Sequence, residues 1–218
     1  MTTTRRILQA TAGNASALDI SELFATDLYT GNGSTQTITN GIDLSGEGGL
    51  VWIKSRSNSN LHFLWDTERG ATKYLISSAT DAQGTVASGL TAFNSDGFSI
   101  GSLSDINLNT QSTVAWSFRK SPNFFDVVTY TGNSTAGRTI SHNLGVAPGV
   151  IIGKRLDISG DDWCVYHRSV GATGALDLNN TNSVDTTIQY WNDTEPTGSV
   201  FTLGSRNALN QSGFNYVA

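Results

Sequence analysis

YTGNGSTQTI, residues 29–38, is echoed about a hundred residues later by YTGNSTAGRTI, residues 130–140. The echo is not isolated. GATKYL begins at Gly70 and GATGAL at Gly171, the same spacing as Tyr29 and Tyr130. GLVWIK at Gly49 answers GVIIGK at Gly149, and FSIGS at Phe98 answers FTLGS at Phe201. Blocks repeated in one order at nearly constant spacing indicate an internal duplication of a unit of roughly a hundred residues, too long for a solenoid repeat.

Within each copy the apolar residues alternate. GLVWIKSR places Val51 and Ile53 on one face and Leu50, Trp52 and Lys54 on the other, while DWCVYHRS alternates Trp163 and Val165 with Cys164 and Tyr166. A period of two is the mark of a strand with a buried face. Charged residues make up only 14% of the chain, and 23 Gly, with many Ser, Thr and Asn, punctuate the apolar runs. That composition starves long helices of their usual surface residues and favours strands joined by turns. The expected fold is all-β: two tandem, duplicated antiparallel β-sandwich units of jelly-roll or lectin-like type, after an N-terminal arm.

The expected divisions are an anchoring arm over 1–28, a first unit over 29–121 and a second over 122–218, with Pro122 marking the boundary. The short connection FRKSPNFFDVV implies that the units pack against each other. The arm holds a helix signal in SALDISELF, with Ser16 or Asp19 near its start. In the last strand, YVA of the second copy matches TVA of TVAWSFRK in the first. The repeat therefore expects this strand to continue beyond Ala218, either in a longer polypeptide or by completion from a neighbour.

Several function classes are disfavoured. The net charge of −5, with no Lys/Arg cluster, is a poor match for nucleic acid. No apolar run reaches the ~20 residues of a membrane-spanning helix, and Arg5 and Arg6 are not followed by a signal-peptide core. The G-x-G of TGNGST lacks a following Lys and helix, so it reads as a hairpin turn. Cys164 is the sole cysteine. His62, His142 and His167 are dispersed and read as structural or surface residues.

No catalytic residue is expected. Asp66 with Glu68, and Asp193 with Glu195, stand two apart on turns that read as exposed, where both carboxylates would stay solvated instead of flanking a sugar. No cofactor is expected either; loop residues Asp161 and Asp162 are the one pair to weigh for Ca²⁺, and they lack a calcium-loop spacing. Among the tryptophans, Trp191 beside NDTEPTG is the candidate for an exposed glycan-stacking platform, at a place corresponding roughly to Phe93.

YTGNGSTQTITNGIDLSGEGGLVWIK, DTERGATKYL, FNSDGFSIGS and VAWSFRKSPNFFDVVTYTG, with HNLGVAPGVIIGKR, WCVYHRS and VFTLGS in the second copy, resemble a repeated module of tailed bacteriophages, familiar in phages of marine bacteria. The resemblance spans residues 29–218. It implies a concanavalin- or laminin-G-like sandwich in a tail fibre or other virion appendage, commonly a homotrimer. The arm over 1–28 would dock on a tail adaptor or nozzle, and the tips would meet a host-surface glycan. A capsid decoration or head fibre, a carbohydrate-binding module and a polysaccharide-degrading enzyme are the other readings.

Overall fold

The computed structural model describes residues 18–218. Strands dominate it. The first unit contains β1 (Phe24–Thr30), β2 (Gln36–Thr39), β3 (Gly49–Ser55), β4 (Phe63–Asp66), β5 (Lys73–Ile76), β6 (Gly84–Thr85), β7 (Leu90–Asn94), β8 (Gly97–Ile100) and β9 (Ser112–Arg119). One helical turn, α1 (Ser104–Asn107), precedes β9. The second unit contains β10 (Thr129–Thr131), β11 (Arg138–Ser141), β12 (Val150–Arg155), β13 (Cys164–His167), β14 (Leu176–Asp177), β15 (Val200–Leu203), the turn α2 (Asn207–Asn210) and β16 (Asn215–Val217).

The two units repeat one strand order. A six-stranded sheet runs β1-β9-β3-β4-β5-β6 and a five-stranded sheet runs β10-β16-β12-β13-β14. Each is accompanied by a smaller sheet, β2-β8-β7 in the first unit and β11-β15 in the second. The pairings are antiparallel throughout. The register corresponds at the repeated tyrosine: Tyr29 faces Thr113, and Tyr130 faces Tyr216.

Each unit has its own core. In the first, Val51, Ile53, Phe63 and Trp65 of the large sheet meet Ile38, Leu90, Phe98 and Ile100 of the small one. In the second, Ile151, Cys164 and Tyr166 meet Ile140, Phe201 and Leu203. Burial of this kind contributes about 25 cal/mol per Å² of apolar surface and supplies the main drive for each unit. It also raises the Cys164 thiol to about 12, so the cysteine is a packed hydrophobe and not a nucleophile.

A third core joins the units. Leu50 and Trp52 of β3, Leu64 of β4 and Leu75 of β5 pack with Ile152, Trp163 and Val217. Thus the two large sheets lie back to back, and β3 packs on both faces: Val51 and Ile53 fully buried inward, Leu50 and Trp52 half-buried toward the other unit. Polar contacts lock the junction. Trp163 Nε1 donates to the carbonyls of Ile76 (3.0 Å) and Ala79 (3.1 Å), Gln83 N donates to Leu156 O (2.8 Å), and Gly160 N to Thr80 O (3.0 Å). The side chain of Lys154, 0% exposed, donates to Thr80 O at 3.1 Å and Asp161 O at 2.6 Å.

Three boundary expectations change. β1 begins at Phe24, so residues 24–28, expected in the arm, form part of the first sheet opposite β9. The helix signal becomes a single 3₁₀ turn, Ile20–Glu22, where Asp19 accepts from the Ser21 amide; Ser16 lies outside the described residues. TGNGST is not a hairpin turn, because β1 pairs with β9 and β2 with β8. It is a corner that carries the chain between sheets.

Candidate functional site

The repeated phrase YTGN accounts for that corner. Tyr29 Oη donates to Ile106 O at 2.8 Å, and Tyr130 Oη donates to Leu209 O at 3.0 Å. The amide of Asn32 donates to the Asn107 side chain at 3.0 Å, as the amide of Asn133 does to Asn210 at 3.0 Å. Between them, Gly31 and Gly132 admit no side chain, since a Cβ would stand 2.2 Å from Leu108 O and 2.1 Å from Gln211 O. The phrase therefore holds a helical turn against a sheet corner in both copies. Asn107 and Asn210 are each 0% exposed, and sequence reasoning missed them. Their signal was the recurrence of Asn at the ends of SDIN and NALN, in step with the FSIGS and FTLGS blocks.

Trp191 is not an exposed platform. It is 2% exposed, lies in the second core and meets Tyr166 edge-on with ring centroids 6.0 Å apart. Backbone bonds give the reason: Gly204 N to Tyr190 O repeats Gly101 N to Gly89 O, so Trp191 takes the place of buried Leu90, not of Phe93. Every aromatic ring among the described residues is at least partly buried.

Of the four carboxylates expected on exposed turns, Glu68, Asp193 and Glu195 are exposed and Asp66 is not. Asp66 is buried, not solvated; it pairs with Arg69 Nε at 2.5 Å and accepts from the Arg69 amide at 2.9 Å. Arg69 in turn reaches Leu64 O at 3.2 Å, and burial pulls its guanidinium below the usual range despite Asp66. Glu68 points elsewhere, to Lys120 at 2.6 Å. Glu195 accepts from Tyr166 Oη at 2.5 Å and the Ala172 amide at 2.7 Å, while no such bond ties it to Asp193. Neither pair is a facing acid and base.

Those two bonds hold the Glu195 carboxyl below the usual range, the Tyr166 hydrogen bond contributing most. A depressed folded value means that the contribution of Glu195 is complete above the ordinary carboxylate range and fades as pH falls through the folded value. The stability gap between the wild type and Glu195→Gln should therefore stay constant near neutrality and close on acidification. Urea midpoints of both proteins, stepped from pH 7 downward, check this.

Two hollows remain. A polar cleft of about 500 Å³ lies among Asp161, Asp162, Asp177, Asp185, Tyr190 and Arg206. Its carboxylates are engaged: Asp161 pairs with Arg155, Asp162 accepts from Asn179 at 2.7 Å, and Asp177 accepts from Asn180 and Asn182 at 3.0 Å each. Asp161 and Asp162 thus face different partners, and among the described residues no group of three or more His, Cys, Asp or Glu stands together as a metal site. The second hollow is an apolar groove of about 450 Å³ between the units.

His142 lines that groove, stacked on Phe201 at 6.5 Å. His62 accepts from Trp52 Nε1 at 3.3 Å, and burial lowers its pKa. His167 accepts from the Ser169 amide at 3.2 Å. The three occupy separate structural positions.

These features define an all-β protein of repeated strand order whose polar side chains mostly serve the fold. The chain belongs to the family described as Domain of unknown function (DUF7483), which matches residues 19–218. No curated protein and no solved structure matches it.

Proposed function

We propose that the protein is a non-enzymatic structural component of a bacteriophage virion, a tail-fibre module of two jelly-roll or lectin-like units. The observation that carries this reading is the back-to-back union of the two units. Leu50, Trp52, Leu64, Leu75, Trp163 and Val217 share one core that packs the two against each other. Stiffness and surface for self-association are what an appendage requires, and no new chemistry accompanies the doubling. The engaged state of the carboxylates supports a non-enzymatic role. The sequence resemblance supplies the virion setting and the homotrimer.

In this reading the N-terminal segment ahead of β1 docks on a tail adaptor, and the exposed loops meet the host surface. The polar cleft around Asp177, Asp185 and Arg206 is where a host glycan would be held through hydroxyl hydrogen bonds, the feature that favours a carbohydrate-binding module as the second reading.

Immunogold electron microscopy of the phage that encodes the chain tests the assignment, together with light scattering of the purified protein. Label on the tail and a particle of roughly 70 kDa, three times the 23.2 kDa chain, are the expected results. Label confined to the head would move the protein to a capsid fibre. Absence from the virion, with saturable binding to a glycan array, would replace the structural reading with the binding module.

A further inference from the structure

The two units differ most at the polar cleft, and register shows which residues were exchanged there. Phe63↔Ile76 of β4 and β5 recurs as Cys164↔Asp177 of β13 and β14, and Tyr74↔Gly84 recurs as the bridge Ala175↔Asp185. The bond from Asn107 N to Leu103 O recurs from Asn210 N to Arg206 O, each at 2.8 Å. In the first unit Phe63 and Ile76 belong to the core, and Tyr74 and Leu103 pack against it. The rings of Phe63 and Tyr74 lie 5.2 Å apart, and a Cβ on Gly84 would stand 2.3 Å from the Tyr74 ring. That space is filled.

In the second unit the same positions carry Cys164, Ala175, Asp177 and Arg206, and the cleft of about 500 Å³ opens there. Tyr190, at the place of Gly89, closes one side. A hollow of about 320 Å³ adjoins it, sharing Asp161, Arg206 and Ala208 and adding Gln189, Ser205 and Asn207. The polar groups are held in place but not saturated. Asp162 Oδ1 accepts from Asn179, and Asp177 Oδ2 from Asn180 and Asn182. Asp162 Oδ2 and Asp177 Oδ1 are left without a hydrogen bond among the described residues. The Arg206 guanidinium lies 5.2 Å from the centroid of the Tyr190 ring and forms no ion pair among the described residues. Each group is oriented by one contact and open for another. The local field is negative: burial and then Asp177 raise the Cys164 thiol, and Asp161 and Asp162 add to this against Arg206.

We infer that the two hollows form one binding trough for a glycan chain of two or more sugar residues that carries no acid groups. The proposal rests on the reading of this cleft as a glycan site and adds the length and charge class of the ligand. The open oxygens of Asp162 and Asp177 accept from sugar hydroxyls, and Arg206, shared by both hollows, donates to a sugar oxygen. The larger hollow takes about one or two sugar rings, and the adjoining one lets the chain continue. A uronate or sialate would set its carboxylate against Asp162, Asp177 and Asp185, whose field the cleft concentrates. The first unit, filled by Phe63 and Tyr74 at this place, takes no ligand, so one site per chain follows.

The test applies the whole protein to an array of neutral, amino-bearing, uronate and sialate glycans of one to six residues. Calorimetry then compares the best-bound glycan on the wild type, Asp177→Asn and Arg206→Ala. Asp177→Asn keeps the shape of the side chain and turns an amide donor toward the ligand. Arg206 is exposed, so Arg206→Ala decides alone if urea unfolding shows Asp177→Asn to be unstable. Saturable one-to-one binding of acid-free glycans of two or more residues is expected, weakened about ten-fold or more by each folded variant. Glycan binding that a folded variant leaves within about two-fold, a preference for uronates or sialates, or equal binding of the monosaccharide overturns this site while the carbohydrate-binding reading stands. No saturable binding to any glycan overturns both.

Discussion

Asn107→Ala is expected to destabilise the protein by about 3–4 kcal/mol, and Asn210→Ala by a similar amount. Asn107 donates to Gly101 O at 2.7 Å, Ser34 O at 2.5 Å and Asn32 Oδ1 at 3.2 Å, and accepts from the Asn32 amide at 3.0 Å. Asn210 repeats the arrangement with Gly204 O at 2.8 Å, Thr135 O at 3.0 Å and the Asn133 amide at 3.0 Å. One amide thus ties α1 or α2 to the chain ahead of it and to the YTGN corner. Truncation leaves several groups unpaired at once, and the buried glycine carbonyl is the one water reaches least.

Urea unfolding of each variant measures the loss. A cost below about 1 kcal/mol would show that water replaces the amide, and would remove the asparagines from the account. Asn107→Asp sharpens the experiment. A carboxylate keeps the acceptor but replaces the donor with a second acceptor facing three oxygens, so the variant should be weaker than wild type at neutral pH and partly recover when acid protonates it.

The second large effect is expected at the junction of the units. Trp163→Ala should cost about 3–5 kcal/mol, because it empties the centre of the shared core and removes the indole donor from Ala79 O and from Ile76 O, which keeps only the Ala79 amide. Its signature is not only the size. With the shared core hollowed, the second unit should unfold at lower urea than the first, splitting one transition into two. Trp163→Phe keeps most of the apolar volume and loses only the indole donor. It should cost about 1–2 kcal/mol and retain a single transition. A single transition in Trp163→Ala would mean that the polar contacts of Gln83, Gly160 and Lys154 suffice to couple the units.

Both predictions turn on residues that the chain advertised unequally. Trp163 stood in a visible alternation, DWCVYHRS, and its burial was legible there. Its partners were not, since Ile76 and Ala79 lie in the other copy and no local pattern connects them. Asn107 and Asn210 recur in step with a block that is plain in the sequence. A polar residue before a loop reads as exposed until the fold brings Gly101 and Ser34 around it. Trp191 shows the converse error. Its neighbours Asn192, Asp193 and Thr194 are turn residues, and only the bond from Gly204 to Tyr190 reveals that it fills the place of Leu90.

What the sequence determined by itself was the part encoded by short-range periodicity: strands from alternation and the all-β class from composition. Those signals arise from side chains facing one surface at a time, so they survive without knowledge of what that surface meets. The tertiary structure decided everything that depends on two distant segments meeting. It set the two large sheets back to back, which half-buried the second face of β3. It turned YTGN from a hairpin into a clasp for α1 and α2, and left an apolar groove between the units. Burial and hydrogen bonding belong to pairs of surfaces, and a linear pattern names only one surface of each pair.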